Sequence, residues 1–491
     1  MNKLSYKTLK DKNFEGYLLE DAPERVLQFG EGNFLRAFVD YFIDILNEKA
    51  DFCGKVAVVQ PISSGLTELI NEQEGLFTLF LRGRENGEQV NRKRVISCIS
   101  RCINPYNNYK ALLETAHNPE LRFIVSNTTE AGITFDNSCS FNDEPPAYFP
   151  AKLTALLYER YKTGLKGFII LSCELIDNNG AELKKCVMEY IKLWKLENDF
   201  AAWVDKENLF CSTLVDRIVT GYPRSEAADI CKSLGYEDNL IDTGEVFGFW
   251  VIEGPDSLKE ELPFHKAGLP VLVTDDHTPY KKRKVRILNG AHTSMVLGAY
   301  LAGQDIVRNC MEDSDILGFL KKTVYDEIIP TLDLPNSELT DFAAATVERF
   351  NNPYIDHSLL AISLNSTSKW KARVMPSLLE YVNRKGELPR CITFSFAAYI
   401  AFYTSKIRKD GNSLYGTRGT DSYEIKDDQW ILDFYFAHKD DSPEQLAHAV
   451  IHNELMWGNA LKNLKGFEEA VSEYLLLIDK VGMRNAIKEC I

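Results

Sequence analysis

Three residue types suited to moving a proton at an alcohol or carbonyl stand close together in the run Lys284 to Tyr300, KVRILNGAHTSMVLGAY. A lysine whose charge is disfavoured by burial or by neighbouring cations serves as a general base near neutral pH, and Lys281, Lys282, Arg283 and Arg286 supply cations in sequence. Asn289 brings an amide able to donate to an oxygen becoming an alkoxide, and the His292 imidazole either holds that oxygen or orients the lysine. On a helix turning by about 100° per residue, Lys284, Asn289 and His292 fall within roughly 140° of surface. The competing reading of the same run is a solvated basic face with a structural histidine.

The N-terminal part of the chain carries a second, independent pattern. Arg25 to Phe29 is a short apolar run, followed at once by GEGNFLRAFVDYFIDIL, whose Phe34, Ala37, Phe38, Tyr41, Phe42 and Ile45 recur at helical spacing. A strand, a glycine turn and a helix open a dinucleotide-binding unit. Gly30 suits the tight turn and Gly32 the close approach of backbone to a pyrophosphate facing the helix N-terminus; Phe29, Asn33 and Phe34 flank them as cofactor candidates. Leu35 occupies the place of the third glycine, and an ordinary strand-to-helix turn is the alternative.

Lys55 to Gln60 predicts the second strand, and an acid at its end would normally bind the adenosine ribose. Gln60 stands there, which leaves NAD against NADP open. Two apolar runs, Leu76 to Arg82 and Arg94 to Ile99, flank Asn86-Gly87, a strong hairpin signal. Leu121 to Ser126, Gly167 to Cys173, Thr213 to Ile218, Val246 to Glu253 and Leu269 to Thr274 continue the strand pattern, and NTTEAG follows Ser126. Asn178, Asn179 and Gly180 read locally as a turn.

From Pro279 on, helical periodicity dominates, with helices expected at 284–301, 316–328, 339–351, 392–404, 442–451 and 468–478, and the polar stretch Gly411 to Thr420 as an exposed loop. The expected architecture is α/β: a Rossmann-type NAD-binding domain with insertions over 1–278 and a mainly α-helical catalytic domain over 279–491.

Composition sets limits on function. The chain has 491 residues, 45% of them apolar, and a net charge of −15, which argues against general affinity for nucleic acid or anionic membranes. No stretch of about 18 uninterrupted apolar residues predicts a membrane span, and Met1 to Glu20 is too polar for a secretory signal. Eleven cysteines, without tight pairing, suggest reduced thiols in a cytoplasmic protein. No metal site is expected: Cys98 and Cys102 lack a second pair, and His448 and His452, at i, i+4, have Ala449 where the zincin pattern needs glutamate.

FGEGNFLRAF, TTEAG, SCELIDNNG, VDRI and the spacing of Lys284, Asn289 and His292, in this order between about Glu24 and Val374, resemble the long-chain, polyol-specific dehydrogenase/reductase family that includes mannitol 2-dehydrogenase. The resemblance implies metal-independent, NAD-dependent hydride transfer, here between D-tagaturonate and D-altronate, with fructuronate or a mannitol-type polyol as alternative substrates. It makes Lys284 the general acid/base, Asn289 and Asn179 the amides that hold the alkoxide, and His292 the group positioning the substrate oxygen. It places Glu130, with Thr129 beside it, in the cofactor loop, and Asp216 and Lys369 in the substrate site. Ala361 stands where family members carry an arginine, a departure that fits a carboxylate-bearing substrate. Arg36, His357 and Arg349 are candidates to bind that carboxylate. The class outside enzymes is a nucleotide-sensing Rossmann protein; the oligomeric state is left open.

Overall fold

A computed structural model describes every residue of the chain except Glu130. The chain divides into two compact units: Met1–Arg82 with Val90–His277, and Gly83–Gln89 with Thr278–Ile491.

The first unit is built on an eight-stranded sheet with a smaller three-stranded one beside it. β1 (Glu24–Phe29) pairs with β2 (Lys55–Val59), while β3 (Phe77–Glu85) and β4 (Glu88–Ile96) form the hairpin around Asn86-Gly87. β5 (Ile99–Ile103), β6 (Phe123–Ser126), β7 (Ile169–Ser172), β8 (Leu209–Asp216), β9 (Asp242–Glu245), β10 (Phe249–Glu253) and β11 (Val271–Thr274) follow. The main sheet runs β11-β10-β8-β7-β6-β1-β2-β5, parallel throughout except at the β8–β10 pair. β3, β4 and β9 form a separate sheet.

Both faces of the large sheet are covered, as a parallel sheet requires. Val26 points into one apolar cluster with Val56, Val58, Phe38 and Trp250, whereas Leu27 and Phe29 join Ala57, Val59 and Leu156 in the other. The register aligns Phe29 with Val59 and Ser126, Ser126 with Ser172, and Ser172 with Ser212. The strands therefore end level, and the loops after β1, β2, β6 and β7 gather at one edge, where open α/β sheets bind ligands.

The second unit is helical, as its periodicity predicts, with helices at Asn336–Phe350, Arg390–Thr404, Pro443–Ile451 and Phe467–Val481. Two expectations change. The stretch 411–420 is not a loop: Ser413–Arg418 is the middle strand of a three-stranded antiparallel sheet with Arg408–Asp410 and Asp421–Ile425. Leu414 is its buried apolar residue, and Gly416 lies under the Tyr423 ring, where any Cβ would collide, so glycine conceals the period-two pattern. The other change is in the helix from Thr278, which passes through a π turn at Lys284–Asn289 before continuing as Gly290–Leu301.

Candidate active site

In the first unit the glycine loop has the conformation its sequence demands. Gly30 sits at φ +127°, a region L side chains rarely adopt, and a Cβ there would lie 3.0 Å from both Asn127 O and Leu35 Cδ1. Leu35, in place of a third glycine, packs against that turn. Gly32 caps the Asn33–Leu35 helical turn without any side-chain cap, and a Cβ on it would point into open space. A turn held by Gly30 and an open helix N-terminus at Gly32 are features a pyrophosphate requires, so the loop fits a dinucleotide. Asn33 is exposed beside it and Phe34 stacks on Phe38 at 5.2 Å, but the Phe29 side chain is fully buried against Phe149, leaving only its backbone at the loop.

Gln60, at the end of the second strand, acts as a brace. It is 2% exposed; its Nε2 donates to Ile62 O at 2.8 Å and its Oε1 accepts from Thr67 Oγ1 at 2.7 Å. The carboxylate of Glu31 packs beside it against Gly65, and burial raises the Glu31 pKa above its usual range. Thr129 is held at φ +73°, a costly conformation for a β-branched residue; Glu130 lies outside the described residues.

Three further expectations meet this unit. Asn179, expected at the alkoxide, is 1% exposed; it donates through Nδ2 to Glu174 O (2.9 Å) and Thr213 O (3.1 Å), and Oδ1 accepts from Thr213 N and Gly180 N, both at 2.9 Å. Its amide is saturated by ties between the loop after β7 and the strand β8. Arg36, a candidate for the substrate carboxylate, is also engaged with protein groups. At 2% exposure its guanidinium donates to Leu240 O (2.7 Å), Glu31 O (3.2 Å) and Asn33 Oδ1 (2.6 Å) and faces Asp242 at 3.7 Å. Asp216 is buried at the end of β8, four residues past Ser212, where it pairs with Phe249.

Glu174 was not singled out by sequence. Buried directly after β7, it accepts from Ser126 Oγ, Thr128 N and Thr128 Oγ1, each at 3.1 Å, and so fixes the start of the NTTEAG loop. An acid immediately after an apolar strand was the available signal.

The helical unit sets the three residues Lys284, Asn289 and His292 on a narrower arc than a regular helix would. In the π turn the Gly290 N–H donates to Val285 O, five residues back instead of four. Residues at i and i+5 then stand nearly in line, so Lys284 and Asn289 share one direction and His292 lies about 60° from it. The trio spans less than half of the arc expected for an uninterrupted α-helix. Gly290 permits this packing, because a Cβ there would approach Arg373 O to 3.2 Å.

His292 is 8% exposed, stacked on Phe350 with centroids 3.9 Å apart and set edge-on to His357 at 5.6 Å. Burial, reinforced by His357, Arg349, Arg373 and Lys369, pushes its pKa well below the usual imidazole value, so the ring is neutral. Its Nε2 is buried without a hydrogen-bond partner among the described residues. A buried nitrogen in that state is costly unless a ligand completes it.

His357, on the solvent-facing rim, is also held towards neutrality, by partial burial and by the Lys369 ammonium. Lys369 donates to Ile362 O at 2.8 Å; burial and then Arg373 lower its pKa. Burial lowers the pKa values of Arg286 and Arg373 as well, and Arg286 Nη1 has no partner among the described residues. This is a set of crowded cations around a neutral imidazole, which an anion would relieve. Ala361, exposed next to it on the Leu359–Ile362 turn, adds no charge.

The hairpin tip Gly83–Gln89 belongs to the same unit. Arg84 Nε donates to Asn351 O (3.1 Å), Gly87 N to Glu348 Oε1 (2.7 Å) and Gln89 Nε2 to the Tyr354 hydroxyl (2.8 Å). These contacts brace the segment that carries Arg349, Phe350 and His357.

Comparison with known proteins adds the following. The pattern of the mannitol dehydrogenase Rossmann domain matches residues 24–266, and that of the mannitol dehydrogenase C-terminal domain matches 276–477. The chain is 46% identical to the altronate oxidoreductase of Escherichia coli O139:H28 and 45% identical to that of Pectobacterium carotovorum, each alignment covering 98% of this chain and 99% of the relative. A substrate-free D-sorbitol dehydrogenase shares its fold with TM-score 0.83 at 22% identity, covering 99% of this chain and all of the other. Pseudomonas fluorescens mannitol 2-dehydrogenase, solved with NAD and D-mannitol, matches with TM-score 0.69 at 23% identity over 99% of both chains.

Proposed function

This chain belongs to the mannitol dehydrogenase family, and from that premise we propose that it interconverts D-altronate and the ketohexuronate D-tagaturonate with NAD(H), in the cytoplasm. Similarity to altronate oxidoreductases over nearly the whole chain supports the substrate. Free cysteines, ten of them buried, support a reducing compartment.

Bound NAD(H) would supply the hydride acceptor or donor, held at Gly30, Gly32, Asn33 and Phe34 with Thr129 beside them. The chain's own residues handle the proton. Lys284 as ammonium gives it to the oxygen that becomes the alcohol, and in the oxidative direction neutral Lys284 removes it. Asn289, in line with Lys284, donates a hydrogen bond to the same oxygen. Neutral His292 donates or accepts there through Nε2, according to tautomer. Lys369, Arg349 and Arg373 meet the carboxylate, with His357 on the rim, and Asp216 orients a substrate hydroxyl.

The unpartnered Nε2 of buried His292, on the helix that aligns Lys284 with Asn289, is the observation that carries this reading. Loss of NADH absorbance with D-tagaturonate, run beside D-fructuronate, D-fructose and NADPH, tests it. Oxidation of NADH with D-tagaturonate in preference to the others is expected. Preference for fructuronate or fructose would reassign the substrate, and no oxidation with any of them would refute the enzymatic reading.

A further inference from the structure

The histidine pair set aside in the sequence acquires a third member in the fold. His448 lies in the Pro443–Ile451 helix, and His452 is the residue that ends it. Their rings are stacked with centroids 4.1 Å apart. Glu468, in the first turn of the Phe467–Val481 helix, reaches both: Oε1 is 2.9 Å from His448 Nδ1 and Oε2 is 3.0 Å from His452 Nε2. The three donor atoms lie within 4.8 Å of one another.

We propose that His448, His452 and Glu468 form a surface site for a divalent transition-metal ion of the zinc class, clipping the Pro443–Ile451 helix to the Phe467–Val481 helix. Three observations support it. The donor set, two imidazole nitrogens and one carboxylate, is a zinc set in which water completes the coordination. At metal–ligand distances of about 2.0–2.2 Å, the ligand atoms of a tetrahedral shell stand roughly 3.3–3.6 Å apart, a spacing the three donor atoms, all within 4.8 Å of one another, reach by small side-chain adjustments. The frame is also fixed, since Leu446, Ala447, Val450 and Ile451 on one helix and Phe467, Val471 and Leu475 on the other are buried.

Without a metal the arrangement is poorly resolved electrostatically. One carboxylate serves two stacked imidazoles. A metal ion takes both rings neutral through the nitrogens already turned towards the carboxylate. Side-chain exposures of 60% for His448, 40% for His452 and 36% for Glu468 give the ion an open path. None of the three belongs to the set around His292, so the site is structural.

The test is calorimetric titration of the tag-free, EDTA-treated full chain with Zn²⁺, alongside His448→Asn/His452→Asn and Glu468→Gln. One equivalent bound by the parent chain, weakened at least about tenfold in both variants, together with a Zn²⁺-induced rise in Tm that both variants lose, is the expected result. Unchanged NADH oxidation by the variants confirms that they are folded. The proposal is overturned if the parent chain binds no equivalent of Zn²⁺. It is equally overturned if the variants bind as the parent does, which would place the ion elsewhere, such as at Glu253, Asp276 and His277.

Discussion

A residue's chemistry in this chain is decided by whether its polar atoms are already used. Asn179 and Gln60 stand where a dehydrogenase keeps an alkoxide-binding amide and a ribose-binding acid, yet both are buried and tied to backbone and loop. Sequence cannot reveal that saturation, because it depends on which carbonyls the fold brings within 3 Å. His292 is the opposite case, buried with its Nε2 unmatched. Its candidacy could be read from the spacing with Lys284 and Asn289, but its neutrality came only with burial against Phe350 and the cations around it. Lys284→Ala is expected to lower kcat by at least about 100-fold while NADH still binds; stopped-flow turnover and fluorescence titration of NADH check both halves. Unaltered turnover would remove Lys284 from the proton path.

Elements turn those residues towards each other. The strand, glycine turn and helix at Glu24 to Ala50 could be read from sequence because Gly30 and the apolar periodicity carry local physical meaning. Gly32→Val tests that loop cleanly, since the added side chain meets no protein atom. The variant should fold with an unchanged Tm while its Kd for NADH rises at least about tenfold; calorimetry on both quantities decides it. The π turn at Lys284–Asn289 was not legible, for its sequence has ordinary helical periodicity and the extra residue emerges only from packing near Arg373. Inserting an alanine after Val285 should turn Lys284 by about 100° away from Asn289 and His292. Circular dichroism should stay the same and kcat/KM should fall by about 100-fold or more. Parent-like activity would show that the turn is incidental.

At the scale of the molecule, the division into a sheet-based and a helical unit followed from the change of periodicity near Thr278, but the transfer of Gly83–Gln89 to the second unit did not. A hairpin signal fixes a turn, not the surface on which the turn rests. Stability carries a signature of the buried acids. Asp40, fully buried and bonded to Gln28 Nε2 at 3.1 Å, has its pKa raised by burial to about 7. An unfolded aspartate releases its proton near pH 4, so between about pH 4 and 7 the native state holds more protons. Stability therefore falls as pH rises through that window and levels off above it. Asp40→Asn should remove this loss, gaining on the parent by up to about 1.4 kcal/mol per pH unit between pH 5 and 7 and no further above pH 8. Urea midpoints at pH 5, 6, 7 and 8 measure it, and parallel curves for the two proteins would contradict the assignment. The hairpin tip has a consequence of another kind, for engineering and descent. The polypeptide crosses from one unit to the other at three places, so a gene severed before Thr278 yields a helical fragment deprived of the loop that ties down Glu348 and Tyr354. Neither half is a cassette: grafting this catalytic half onto a foreign nucleotide-binding half requires moving a loop from the middle of the donor gene with it.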